Sequence, residues 1–391
     1  MHTNLDRQYY CGHDLTRAQS IGDLRAMALH RLPRVNAEYL EGGAEDERSL
    51  LANRQAFDEI EFQPRVLRDV SHIDLQRTIL GATSSLPFAI APTGFNGLLW
   101  HRGDLALARA AAVKGIAFAQ STVSNATIAD VAVTPGLRHW FQLYLYAEDP
   151  VWERLLQQAA TAGCGAIMLT VDSPVLGNRE WDRRNYQSGF TPTFASKLDM
   201  LHHGRWMWQV LRHGVPSFPN LAQFVPGPDR SFYAVARWAL ANQRPQTDWT
   251  TVAKIRKAWP GKLILKGVAN MADVRAAMDA GLDGVVLSNH GGRQLDRSAV
   301  PLRLVRQARA TVSSGFALLV DSGFRRGTDI VQALALGADA VLLGRARLYG
   351  LAAGGEAGVQ RAIDILAAEI SRTLALLGLR SVDELSQEVF A

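Results

Sequence analysis

Gly284-Val285-Val286-Leu287-Ser288-Asn289-His290-Gly291-Gly292-Arg293-Gln294-Leu295-Asp296 is an apolar run that turns polar in a single step. Its first four residues, short and rich in β-branched side chains, predict a fully buried strand. The polar run begins where that strand should end, and it places a histidine, two glycines and an arginine within one turn. Histidine is suited to accept a proton near neutral pH. Arginine offers a planar fork for a carboxylate, and glycines let backbone approach a ligand closely. A polar loop whose histidine merely satisfies a backbone group is the alternative.

The same strand signal recurs along the chain. It appears at Phe88-Ala89-Ile90-Ala91, Ala117-Phe118-Ala119, Trp140-Phe141-Gln142-Leu143 and Ala166-Ile167-Met168-Leu169. It returns at Leu263-Ile264-Leu265, Ala317-Leu318-Leu319-Val320 and Ala340-Val341-Leu342-Leu343. Amphipathic helical stretches separate most of these runs. One covers 151–162 and is opened by Asp149 as N-cap with Pro150, and two others end at Gly281 and Gly337. Eight strand signals, most followed by a helix, predict an α/β fold, a closed (β/α)8 TIM barrel. An open doubly wound sheet is the runner-up, but its Gly-x-Gly-x-x-Gly turn after the first strand is absent.

The barrel is expected over residues 86–357 of a single domain spanning 1–391. Residues 1–85 read as an N-terminal segment of helices rather than strands. Ser20 and Asp23 are caps there, and Tyr39 sits one turn before a helix end at Gly42-Gly43. Residues 358–391 carry a closing helix with Ile363, Leu366, Ile370 and Leu374 on one face.

Composition narrows the function. The 391 residues carry a formal charge of +5 with no block of lysine and arginine, so a nucleic-acid partner is not expected. Cys11 and Cys164 lie far apart without metal-ligand spacing, so neither a disulfide framework nor a metal site is expected. Met1 to Arg7 shows no apolar signal-peptide core, and no stretch is long enough to span a membrane. A soluble, cytoplasmic location is the default.

One connection is too long. About ninety residues separate Asp172 from the strand at Leu263, against about twenty to thirty-five elsewhere. Five of the nine tryptophans lie in its part from Trp181 to Trp249, and residues 179–248 hold nine lysines and arginines against five acids. This insertion, about 177–250, follows the fourth strand's C-terminal end. It reads either as a lid over the barrel mouth or as a basic, aromatic patch for a membrane interface or partner.

Function in a parallel barrel collects at the C-terminal strand ends. In strand order those ends carry Thr93 and Gly94, Ser121, Gln142 with Tyr144, Thr170 with Asp172, Lys266, Ser288 with His290, Asp321 with Gly323 and Arg325, and Gly344 with Arg345. The last two ends match the usual phosphate position. Thr93, Ser121, Gln142, Thr170 and Ser288 form a ring of hydrogen-bonders for a large heterocycle. Lys266 supplies positive charge beside it, or else a salt bridge to a structural acid. His290, Asp172, Arg293 and Arg179 describe a base, its orienting acid and a carboxylate clamp. Together these suggest a flavin mononucleotide (FMN) enzyme acting on a small carboxylic acid.

The run from Ser288 to Asp296 resembles the active-site signature of the FMN-dependent α-hydroxy acid dehydrogenases and oxidases. Tyr39 with Glu41-Gly42-Gly43-Ala44-Glu45-Asp46, and Asp321-Ser322-Gly323-Phe324-Arg325-Arg326-Gly327, extend the resemblance over nearly the whole chain. Pro92-Thr93-Gly94-Phe95-Asn96-Gly97, Arg205-Trp206 and Arg212-His213-Gly214-Val215-Pro216 are most similar to the members that oxidise (S)-mandelate.

The resemblance implies that His290 is the base, Asp172 stabilises its imidazolium, and Arg179, Arg293 and Tyr39 hold the substrate carboxylate. Tyr144 is then at the reacting centre. Backbone at Thr93 and Gly94, with Ser121, Gln142, Thr170, Lys266 and Ser288, holds the isoalloxazine. Asp321 sits at the ribityl chain, and Gly323, Arg325, Gly344 and Arg345 at the phosphate. The implied reaction oxidises an (S)-2-hydroxy acid to the 2-oxo acid. An aromatic acid such as mandelate is favoured because Gly94 leaves space beside the flavin; lactate is the alternative. A quinone-type acceptor, peripheral contact with the inner face of the cell membrane and a homotetramer are further implied. An oxygen-using oxidase and a non-catalytic flavin- or phosphate-binding barrel are the other readings.

Overall fold

Eight parallel strands close on themselves: β1 (Phe88–Ile90), β2 (Ala117–Ser121), β3 (Arg138–Leu143), β4 (Ala166–Thr170), β5 (Lys262–Val268), β6 (Gly284–Leu287), β7 (Ala317–Val320) and β8 (Ala340–Leu343). Each pairs with its successor, and β8 returns to β1 through Val341–Phe88 and Leu343–Ile90. The computed structural model describes residues 7–188 and 190–391, so most of the Met1 to Arg7 stretch lies outside the described residues. The closed barrel is the expected one, and the open sheet is excluded.

Strand periodicity positions the site. Alternate residues point inward, and Ala89, Ala91, Ala117, Ala119, Trp140, Ala166, Met168, Ile264, Val286, Leu319, Ala340 and Leu342 fill the interior as one buried cluster. The residues between them, such as Phe118, Phe141, Ile167, Leu265 and Val285, face the helical layer. Counting on by two in the inward phase reaches Thr93, Ser121, Gln142, Thr170, Lys266, Ser288, Asp321 and Gly344 at the rim. One further step gives Tyr144, Asp172, His290 and Gly323.

The N-terminal segment departs from expectation in one respect. Residues 77–84 form an antiparallel ribbon, Arg77–Ile79 with Ala82–Ser84. Ile79, almost fully buried, joins the interior cluster and plugs the barrel's N-terminal mouth. Upstream lie α1 (Ile21–Arg31), whose cap Ser20 accepts from the Asp23 backbone, then α2 (Arg34–Glu41), ended at Gly42, and α3 (Arg48–Asp58). The expected cap Asp149 is instead the first residue of its helix, which Glu148 precedes; Asp149 accepts from Trp152, Arg244 and Lys254.

The insertion contributes α4 (Phe194–His202), α5 (Gly204–His213) and further helices at Pro219–Ala222 and Phe232–Ala241. Its inner side buries Trp206, Phe218, Leu221 and Val235. Trp206 donates through Nε1 to the Leu98 carbonyl, and Phe95 stands edge-on to Phe218 at 4.8 Å. Its outer side leaves Phe194, Leu201, Trp208 and Leu211 between 61% and 77% exposed. The insertion is therefore a lid on one side and an apolar surface on the other. No helix among the described residues is long and apolar enough to cross a membrane.

The closing helix begins earlier than expected. α6 runs Arg345–Leu377 directly from β8, with helical geometry broken at Gly354 and Gly355, and it packs against α1.

Candidate active site

The residues predicted at the strand ends converge on one cavity of about 1260 Å³ at the C-terminal mouth of the barrel. That exceeds the roughly 300–1000 Å³ of a pocket for one small ligand, so it has room for a cofactor and a substrate together. Tyr39, Thr93, Gly94, Ser121, Tyr144, Thr170, Arg179, Lys266, His290, Arg293, Asp321, Gly323, Arg325, Gly344 and Arg345 all line it. Asp172, Gln142 and Ser288 stand directly behind that wall. Each bonds to a lining residue: Asp172 to His290, Gln142 to Ser121, and Ser288 to Lys266.

His290 and Asp172 form the reactive pair. His290 Nδ1 lies 3.0 and 3.1 Å from the two Asp172 oxygens. Burial opposes ionisation of Asp172, but His290, Lys266 and hydrogen bonds outweigh it and hold the carboxyl at about 2. An ionised carboxylate accepts only, so Nδ1 carries the proton and Nε2 is left as the acceptor facing the cavity. Tyr144 Oη is 3.4 Å from Nε2. Burial pushes the His290 pKa below the ordinary histidine value, with Asp172 pulling it back up and Lys266 and Arg179 adding to the fall. Neutral, base-competent imidazole follows at neutral pH.

The turn that carries His290 is strained. His290, Gly291 and Gly292 have φ of 59°, 66° and 75° in succession, a left-handed conformation that costs a non-glycine residue of order 1 kcal/mol or more. The glycine pair also serves packing within the protein. A Cβ on Gly292 would lie 2.6 Å from the Leu50 backbone nitrogen, and one on Gly291 would meet Arg345. They let α3 and Arg345 close against the turn.

Among the described residues, two polar atoms in the expected heterocycle ring have no partner. Ser121 donates to Gln142 Oε1 at 2.8 Å, which leaves Gln142 Nε2 buried and unbonded; Thr170 Oγ1 is likewise buried and unbonded. A buried polar group without a partner costs about 1–3 kcal/mol. A donor and a hydroxyl waiting side by side suit the imide edge of a flavin. Lys266 Nζ donates to Ser288 Oγ at 3.0 Å and pairs with Asp321 at 3.1 Å. Burial works against its charge, but Asp321 and Asp172 raise its pKa. The lysine is thus salt-bridged while it lines the cavity. The hydroxyl of Thr93 is already engaged with Arg347 and Asn96, leaving only its backbone for a ligand.

The guanidinium groups are crowded. Arg293 donates to the carbonyls of Tyr39 and Gly42 and sits 5.0 Å over the Tyr39 ring. Arg179 reaches the Arg293 carbonyl and Gln294 Oε1. Burial, then Arg179 and Arg345, push Arg293 down to about 9. Like charges packed in a cavity call for an anion between them. Arg345 differs from expectation in its resting contacts, because it donates to the carbonyls of Leu40, Gly42 and Gly291. It ties α2 to the His290 turn, with two of its five N–H groups remaining for a phosphate. Arg325 bonds the Phe324 carbonyl and stands 5.3 Å from the Tyr349 ring.

Gly94 does not simply leave open space. A Cβ there would lie 2.4 Å from a Val123 methyl, and the Tyr39 hydroxyl donates to the Gly94 carbonyl at 3.2 Å. The apolar wall near the clamp comes from Phe95, Val123, Leu176, Phe190 and Phe218.

Some site residues escaped the sequence reading. Asp182 lines the cavity with Oδ1 buried and unbonded, and burial raises its pKa against the pull of Arg293 and Arg179. Its spacing of three from Arg179 was the available signal. Gln294 donates to the carbonyls of Asp172 and Val175, joining the β4 and β6 loops. Nothing in its local sequence marks that bridge.

Comparison with known proteins gives a consistent set. A family model described as FMN-dependent dehydrogenase matches residues 28–391. A Mycobacterium tuberculosis protein described provisionally as an L-lactate dehydrogenase is 44% identical over 375 residues, covering 95% of this chain and 89% of that one. The (S)-mandelate dehydrogenase of Pseudomonas putida is 43% identical, covering 94% of this chain and 93% of its own. Among solved structures, that of a monotopic membrane protein, (S)-mandelate dehydrogenase, superposes with a TM-score of 0.92 at 42% identity, covering 96% and 99% of the two chains.

Proposed function

The chain belongs to the FMN-dependent dehydrogenase family, and we propose that it oxidises (S)-mandelate or a closely related aromatic (S)-2-hydroxy acid to the 2-oxo acid. The observation that carries the substrate class is the aromatic wall of Phe95, Phe190 and Phe218 in the same cavity as the Arg179–Arg293 clamp. A carboxylate held by that clamp has apolar surface beside it that the methyl group of lactate would leave uncovered. Aromatic pairs and apolar burial favour a phenyl group there.

Bound FMN supplies the two-electron acceptor. The protein's residues do the remaining work. Arg179 and Arg293 bind the carboxylate, with the Tyr39 hydroxyl beside them, and so orient the α-carbon. Nε2 of His290 accepts one proton from substrate, and Asp172 stabilises the imidazolium through Nδ1. Tyr144 Oη holds the reacting oxygen near Nε2. Gln142 and Thr170 would hold the imide edge of the flavin with the two atoms left unbonded, Lys266 would supply positive charge to it, and Asp321 would hold the ribityl chain. Gly323, Arg325, Gly344 and Arg345 would hold the phosphate, and the lid of Trp206, Phe218 and Phe232 excludes water.

The purified protein tests this directly. Its flavin spectrum bleaches anaerobically on adding (S)-mandelate, with kcat/KM for mandelate above that for L-lactate. A lactate preference would transfer the assignment to the lactate enzymes, and a chain that takes up no FMN would leave a non-catalytic barrel.

For the acceptor we favour a membrane quinone over oxygen, supported by the apolar outer side of α4 and α5 with Lys197, Arg205 and Arg212 exposed on it. Slow reoxidation in air and fast reoxidation by a short-chain quinone is the expected pair of results. A peripheral position on the inner membrane face and a tetramer complete the proposal.

A further inference from the structure

Arg347, on the first turn of α6 just after β8, is fully buried. Arginine is almost never enclosed without a paired acid. Here Nη2 donates to the Ala91 carbonyl at 2.8 Å and to Thr93 Oγ1 at 2.6 Å, Nε donates to the Leu343 carbonyl at 3.3 Å, and Nη1 is buried with no partner among the described residues. Its partners are all neutral oxygens.

Asp104 is the acid nearest in effect, yet it makes no ion pair with Arg347 within 4 Å among the described residues. Its two oxygens accept instead from Asn96 Nδ2 at 2.7 Å and from the Asn125 backbone at 2.8 Å. Burial raises the Asp104 pKa, disfavouring its charged form. Burial also lowers Arg347 to about 9, with Asp104 pulling it back, so the guanidinium stays protonated at neutral pH. The guanidinium therefore stands, with no ion pair among the described residues, behind Thr93, which lines the cavity.

We propose that Arg347 is an electrostatic positioning residue for the cofactor: its unpaired charge, delivered through the Thr93 loop, stabilises the negative charge that two-electron reduction places on the flavin. The inference rests on the FMN reading of the cavity. A charge buried without an ion pair is stabilised when its counter-charge arrives. Arg347 also holds Thr93 in place, since its fork bonds that residue's hydroxyl and the Ala91 carbonyl together.

The experiment measures the two-electron reduction potential of the FMN-loaded protein and of three variants. Arg347→Gln weakens binding of reduced relative to oxidised FMN about tenfold, a potential lower by about 30 mV for a two-electron couple. Arg347→Lys, which keeps the charge and loses the fork, retains a potential near that of the parent. Arg347→Met, which keeps apolar bulk without the charge, lowers the potential as Arg347→Gln does and decides the question if Arg347→Gln fails to fold. An unchanged potential in Arg347→Gln overturns the proposal, as does an equal fall in Arg347→Lys or an unchanged potential in Arg347→Met. A parent protein that binds no FMN overturns the reading of the cavity itself; one that binds FMN with a potential insensitive to Arg347 overturns only this inference.

Discussion

At the scale of single residues, the His290–Asp172 pair makes opposite demands on one proton. Burial keeps His290 unprotonated in the resting cavity, and Asp172 makes protonation tolerable once it happens. His290 must be neutral to act, so kcat/KM falls as pH drops through its pKa, which lies below the ordinary histidine value. Asp172→Asn removes the group that holds this pKa up. The acid limb then moves to lower pH while the plateau falls about 100-fold, as a pH profile of flavin reduction would record; an unmoved limb would detach Asp172 from the base. Lys266 makes a different prediction. Lys266→Met leaves Asp321 buried without its partner, costing on the order of 3–5 kcal/mol, and removes the charge facing the flavin. Urea unfolding and FMN content after gel filtration should both drop; a variant stable and fully loaded would contradict both roles. His290, Arg293 and Lys266 were legible in the sequence because residue type and strand-end position coincide. The burial of Arg347 was not, since an arginine three residues past a glycine reads as a surface helix start.

At the scale of elements, α4 and α5 present the apolar surface. Burying Phe194, Trp208 and Leu211 in an interface contributes about 1.5–3 kcal/mol each at most, on the order of 5 kcal/mol together. That is close to a single myristoyl chain, with its binding constant of about 10⁴ M⁻¹. Association of this strength is reversible and needs support from Lys197, Arg205 and Arg212 on anionic lipid, at about 1 kcal/mol each. Trp208→Ser combined with Leu211→Ser should therefore move the protein from vesicle pellet to supernatant in a sedimentation assay while leaving flavin reduction by mandelate intact. Unchanged sedimentation would leave the lid as the insertion's whole purpose. Removing residues 201–215 outright is a poorer test, because it also takes Trp206 from under the lid and Gln209 from Arg31. The length of the insertion was plain in the sequence. Which of its tryptophans face inward was not, since that depends on tertiary partners such as Leu98 and Phe95. The ribbon at residues 77–84 was missed for a related reason: strands of three residues carry too little periodicity to detect.

At the scale of the whole molecule, the mouth of the barrel gathers Arg179, Arg293, Arg325 and Arg345 around one cavity. Anions bound there relieve repulsion that the fold otherwise carries. Adding FMN at about a hundred times its dissociation constant should stabilise the protein by about 2.7 kcal/mol, seen as a rise in Tm of a few degrees; an unchanged melting curve would mean that FMN does not bind the native state. The alternation that builds the barrel has its own consequence. Ala166, Met168, Thr170 and Asp172 are every second residue of one strand and its extension, so β4 is read in twos much as a message is read in threes. One residue inserted after Met168 is a frameshift: Thr170 and Asp172 turn toward the helices, and side chains meant for the helical layer enter the mouth. Two residues inserted restore the frame while displacing the site by one step along the strand. The single insertion should lose flavin binding and activity together, and the double insertion should keep the facing of its polar residues at the expense of their reach. The chemistry of this protein is thus written in a code with a word length of two, and each strand end is where a word changes meaning without altering the grammar of the core.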